Sequence, residues 1–262
     1  VSSRSAWRGT LLIVLAAATL IPLALLAVAS VGERWFFPAL LPPAITLESW
    51  HSILAGGRLT GALATSAALA AGTGLLAAAV GLVAGRALAR LEGWRRHLGA
   101  AAVFLPVVAP PIALATGLQL SFLSLGLGGT LAGVLLAHTI PAAGYTSLYF
   151  LGLFQLLDPR LEDEARSLGA APRDVWLRVL LPVLRRPIAE AWALGFLVSW
   201  AQVPLTLLIG GGAVRTLPLE TLAFVRAGQD RWAATGALLL VLPAAAALAA
   251  GLVVRRAEAA PL

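Results

Sequence analysis

Six apolar runs dominate this chain: 11–31, 63–85, 100–122, 131–151, 188–209 and 233–254. Each is long enough to cross about 30 Å of hydrocarbon as a helix. Inside lipid a backbone must satisfy its own hydrogen bonds, so runs of this kind predict an all-α integral membrane protein with six transmembrane helices. Composition agrees. Only 12% of the residues are charged and 60% are hydrophobic, with a mean hydropathy of +0.90. A soluble domain carries roughly 25% charged residues, so lipid is the expected solvent. The first run is interrupted by Ile21-Pro22 and continues with bulky residues. It reads as an anchor, and an uncleaved signal role is compatible with that.

What is missing also constrains chemistry. All 19 basic residues are Arg, and the chain has no Lys, Cys or Met. Without Cys there are no disulfides, thiolate metal sites or cysteine nucleophiles. Without Lys there is no Walker A loop, so the chain cannot be its own P-loop ATPase. Without Met, Val1 is either an alternative start or a trimmed end. No catalytic set, cofactor motif or metal-ligand spacing is legible. The net charge of +7 does not point to nucleic acid, because the arginines lie between apolar runs. With the N-terminus inside, 14 arginines, Arg86 among them, fall in cytoplasmic segments and 5 in outer ones. The positive-inside rule then predicts that both termini are cytoplasmic.

The connections differ. Segment 33–61 is external and rich in aromatics and prolines (Trp35, Phe36, Phe37, Pro38, Pro42, Pro43, Trp50), which suits the membrane interface. Segment 210–232 is external and opens with Gly210-Gly211-Gly212, expected to form a flexible loop. Prolines 22, 106, 110, 111, 141, 204 and 243 punctuate the runs and can kink helices. Gly81 and Gly85, four apart, allow another helix to approach closely. Intramembrane polar residues are Gln119, His138, Thr139, Tyr145, Ser199, Gln202 and Thr206. Ser199 and Gln202 are three apart and Thr206 four further, so one helix face can present all three to a translocation cavity. Interhelical hydrogen bonding is the alternative use of such groups.

The long internal connection 152–187 contains LEDEARSLGAAPRDVWLRVLLP at 161–182. It has the grammar of two short helices. Leu161, Ala165 and Leu168 recur at i, i+4 and i+7, giving one apolar stripe. Asp158-Pro159 and the acids Glu162, Asp163 and Glu164 favour a helix start. Gly169 stands where a left-handed residue would stop that helix, and Pro172 can open the next. Val175, Trp176, Val179 and Leu180 give the second helix its own apolar face, with Pro182 and Pro187 marking re-entry into the membrane. The stripe needs cover, either from lipid headgroups or from a groove on a partner protein. The acidic cluster favours the partner.

The same segment resembles the cytoplasmic motif of type I binding-protein-dependent ABC importer permeases: E-A-A, three residues, G, nine residues, I-x-L-P. Here Asp163-Glu164-Ala165, Gly169 and Val179-x-Leu181-Pro182 hold the full spacing, with Asp163, Glu164 and Val179 departing in type. The resemblance covers roughly 60–251. It implies a permease domain over 60–251, preceded by an N-terminal helix and external segment over 1–59 and followed by a cytoplasmic tail over 252–262. It also implies a coupling helix between the fourth and fifth spans. Leu161, Asp163, Glu164, Ala165, Gly169, Leu181 and Pro182 would then meet a separate ATPase. The implied partners are ABC ATPase subunits, a second permease subunit (the same or a paralogue), an external substrate-binding protein and the lipid bilayer. The implied place is the bacterial inner membrane. The stretch from Ser199 through Thr216-Leu217-Pro218-Leu219 looks nearest to permeases of the polyamine, iron(III) and thiamine importers. A secondary transporter is the alternative; it should show intramembrane carboxylates or inverted repeats, and Glu190 lies only near the end of a run.

Overall fold

Proline and glycine positions explain most of how the apolar runs are cut into helices. The computed structural model describes residues 2–35, 38–158 and 160–259. Helix α1 (Ser2–Val31) is followed by a two-residue antiparallel ribbon, β1 (Gly32–Glu33) with β2 (Ala44–Ile45), and by the short α2 (Glu48–Leu54). Helices α3 (Arg58–Ala89), α4 (Gly93–Val108), α5 (Pro111–Ser124) and α6 (Leu131–Leu156) come next. They lead to α7 (Arg160–Ser167), α8 (Pro172–Asp174), a π-helical turn at Val175–Leu180 and α9 (Leu181–Trp200). Helices α10 (Pro204–Gly210), α11 (Leu217–Arg226) and α12 (Asp230–Ala259) complete the order. The expected interfacial segment 33–61 therefore carries a ribbon and a helix; Phe36 and Phe37 lie outside the described residues.

Among the described residues, four helices are long and apolar enough to cross a membrane: α1, α3, α6 and α12. The third and fifth expected spans are instead bent pairs. Between α4 and α5 the direction changes by 95°. Ala109 and Pro110 each precede a proline, which disfavours helical backbone, and both are extended (ψ 135° and 130°). Between α9 and α10 the bend is 66°, at residues 201–203, and Pro204 opens α10. Counting each bent pair as one span gives six. Gly210–Gly212 is a tight turn rather than a loose loop. Gly210 ends α10, while Gly211 and Gly212 take left-handed φ of +52° and +80°.

The chain divides into two compact units. One comprises Val1–Ala64 and Thr216–Leu262. Here α12 packs with α1 and α11. Ser49 Oγ donates to the Ser30 carbonyl at 3.0 Å, and Thr235 Oγ1 donates to Ser49 Oγ at 3.0 Å. Arg58 pairs with the buried Glu220 and lies over the Phe224 ring, which stacks on Trp232. None of the most apolar stretch of α1 is buried, as suits a helix facing lipid.

The other unit is Thr65–Arg215. Its glycines bring α3 against α6 and α9. A Cβ on Gly81 would collide with Thr146, and one on Gly85 with Phe150 and the Leu151 backbone. The Gly81–Gly85 spacing thus serves packing within the subunit. Thr146 Oγ1 donates to the Ala77 carbonyl at 2.6 Å, and Gly74 meets Gly195 and Trp192 of α9. Leu69, Ala115, Phe122, Val134, Ala137, Leu205 and Ile209 form an apolar core between α3, α5, α6 and α10.

Candidate functional site

Helix α7 is built by local rules. Asp158 Oδ1 accepts from the Arg160 N–H at 2.9 Å, supplying an acceptor at the open helix start. At the other end the Ala170 N–H bonds to the Ala165 carbonyl (3.0 Å) and the Gly169 N–H to that of Arg166 (2.9 Å). Gly169 has φ +84°. This is the Schellman closure, which a Cβ would strain at that glycine. The second expected helix opens at Pro172 but does not stop at Pro182. It runs through the π turn into α9. In a regular α-turn the Pro182 ring would strike the carbonyl four residues back; the wider π turn just before it relieves that clash. Val175, Leu180 and Leu184 are buried beneath this stretch.

Among the described residues the expected stripe on α7 is only partly covered. Leu168 is 89% exposed and Leu161 38%, while Ala165 is half-buried. Asp163, Glu164 and Gly169 are exposed, and a shallow cleft of 400 Å³ lies between Arg160, Asp163, Glu164, Ser167 and Leu168. Leu181 and Pro182 stand past the π turn at the start of α9, both exposed. The side of α7 that meets the rest of the unit carries Glu162. Arg86 Nη2, from the last turn of α3, donates to Glu162 Oε1 at 3.0 Å and Oε2 at 2.9 Å. Arg166 also reaches Oε2, at 3.1 Å. The Arg86 guanidinium lies 4.2 Å from the Trp176 ring centroid and 5.9 Å from that of Phe154. Arg86 read in the sequence only as a topology marker, and Glu162 only as a helix-start acid. Nothing local links two residues 76 positions apart.

A second polar cluster lies inside the bundle. His138 on α6 is bonded to Ser199 Oγ through Nδ1 (2.8 Å) and to Thr206 Oγ1 through Nε2 (2.9 Å). All three are buried. Thr206 Oγ1 also donates to the Gln202 carbonyl at 3.0 Å. Ser199 and Thr206 do come together, but not by helical spacing. The chain breaks between them, and His138 bridges the break. Gln202 lies in the break, half-buried.

Residues 77–258, more than half of the chain, match the family described as binding-protein-dependent transport system inner membrane component. The chain is 28% identical over 212 residues to the trehalose transport system permease protein SugB of Mycobacterium tuberculosis, covering 78% of this chain and 76% of that protein. It is 32% identical over 192 residues to the molybdenum transport system permease protein ModB of Mycobacterium tuberculosis, covering 68% and 71%. It is 28% identical over 191 residues to the putrescine transport system permease protein PotI of Escherichia coli, covering 69% and 67%. These relatives are named for different cargoes, so their likeness marks a family rather than a substrate. Among solved structures, the fold matches a chain of a bacterial ABC transporter involved in the import of the acidic polysaccharide alginate. The TM-score is 0.65 at 17% identity, over 96% of this chain and 95% of that one. The chain belongs to the family of binding-protein-dependent inner membrane components and is a transmembrane permease subunit of an ABC importer.

Proposed function

We propose that residues 161–182 couple this permease to a separate ATPase, with α7 as the coupling helix. The observation that supports this most is the asymmetry of α7. Glu162 is held by Arg86, while Asp163, Glu164 and Leu168, and Leu161 in part, are exposed among the described residues. Burying one leucine side chain stabilises by about 1.5–3 kcal/mol, so an exposed stripe of this kind suits a protein groove. Asp163, Glu164, Ala165 and Gly169 hold the motif spacing at that joint, and Leu181 and Pro182 close the motif at the start of α9.

The chain acts as a non-catalytic transport subunit, and ATP is hydrolysed on the partner. Two permease subunits, identical or paralogous, enclose the path, and an external binding protein delivers cargo. Both termini lie in the cytoplasm. Functionally, 60–251 is the permease domain, with 1–59 and 252–262 as flanking segments. At the break in the fifth span Gln202 lines the path, and Ser199 and Thr206 set the shape of that lining with His138 behind them. Deleting 161–169 tests the coupling role. The subunit should still insert, and co-purification of ATPase subunits should vanish; undiminished association would refute the assignment.

A further inference from the structure

Helix α7 has little to hold it in place. None of its residues is fully buried, and it packs on the π turn that leads into α9. Its side-chain tie to α3 is one guanidinium on which several elements converge. Arg86 belongs to the last turn of α3. It grips α7 through both oxygens of Glu162. One face of the group meets Trp176 of the π turn, and Phe154 of α6 lies near it. The side chains of Arg86 and Glu162 are 12% and 19% exposed, which shields the pair from water and salt. Arg86 Nη1 has no hydrogen-bond partner among the described residues. The ring face of Trp176 adds to the compensation that Glu162 gives the guanidinium charge. Both carboxylate oxygens bond to the one nitrogen Nη2, and the stacking on the indole adds a second restraint on the plane of the group. Arg166 also bonds Glu162, but it sits on α7 itself and can transmit nothing out of that helix.

We propose that Arg86 is the positioning residue that makes α7 move as one body with α3. A push on α7 then displaces the transmembrane bundle instead of swinging a short helix on its two connecting turns. This role rests on reading α7 as the ATPase-facing element.

The chain has no cysteine, so spin labels can be placed on the unaltered background. Labels go on α7 at Arg160→Cys and on the exposed flank of α3 at Val83→Cys. The permease is purified as a complex with the co-expressed ATPase subunit of the same importer. The α7–α3 distance is read without nucleotide and after trapping with ATP and vanadate. With Arg86 intact, the distribution should be narrow and identical in both states. Arg86→Gln should broaden it and make it nucleotide-dependent while the ATPase subunit still co-purifies. Glu162→Gln breaks the same pair from the α7 side and should reproduce this even if the Arg86 variant assembles poorly. The exchange Arg86→Glu with Glu162→Arg should restore the narrow distance, whereas Glu162→Arg alone should not. A distance that already changes with nucleotide in the parent, or that stays narrow in both single variants, overturns the proposal. The control Glu164→Arg with Leu168→Asp should lose the ATPase and keep the narrow distance. If that control keeps the ATPase, the coupling reading fails, and the distance measurement still decides the Arg86 clamp on its own.

Discussion

Two polar clusters in the unit Thr65–Arg215 show how one bundle uses hydrogen bonds for different ends. The His138–Ser199–Thr206 cluster is small, holds no carboxylate or guanidinium and is sealed in the interior. Its bonds close on one another and on the Gln202 carbonyl, so it is finished within the chain. The Arg86–Glu162 cluster is ionic, sits where α3 ends, and opens on one side into a cleft of 490 Å³. It ties down one face of α7 and leaves the other bare. A satisfied interior network holds a helix break in shape. A charged pair at a helix end can fix one face of a docking element and leave the opposite face free.

The contrast predicts effects on stability for one cluster and on association for the other. The largest effect should come from the seam both depend on. Gly85 precedes Arg86, and any side chain there strikes the α6 backbone. Overpacking of this sort costs about 1–3 kcal/mol or more. Gly85→Leu should therefore lower thermal unfolding sharply and also lose ATPase co-purification, removing the distinction between the clusters. His138→Ala leaves two buried hydroxyls with one partner fewer and should cost about 2 kcal/mol. Unfolding followed in detergent should show it, with association unchanged. The reverse pattern is expected for Glu164→Arg with Leu168→Asp. Affinity for the ATPase subunit, measured by titration, should fall at least tenfold, or about 1.4 kcal/mol, at constant stability. The smallest effect belongs to Thr206→Val, near the average of about 0.6 kcal/mol for an interhelical hydrogen bond in a membrane. A loss of association in either interior variant would erase the proposed division of labour.

The legibility of these clusters differed for a physical reason. Helix α7 was readable because its determinants are neighbours: the Asp158 cap, Gly169 at the stop and Pro172 at the restart all act within one or two turns. Its exposed stripe was readable from the spacing of Leu161, Ala165 and Leu168. Ser199, Gln202 and Thr206 share one helix face only if the helix is unbroken, and the structure breaks it at 201–203. The prolines were visible, but not which of them would bend a span, since neighbouring helices decide whether a freed carbonyl is tolerated. Pro22 and Pro141 remain inside helices, while Pro110 with Pro111 and Pro204 mark breaks.

By itself, then, the sequence determined the solvent, the apolar runs, the α7 turn grammar and the motif spacing that places the chain among ABC importer permeases. Periodicity, caps and composition are local properties, written in residues a few positions apart. Tertiary structure alone decided that two of six runs are bent pairs, that His138 bridges Ser199 and Thr206, and that Arg86 grips Glu162. Those pairings join residues 61 to 76 positions apart. They arise from which helices pack together, and close approach at glycines such as Gly81 and Gly85 sets that packing.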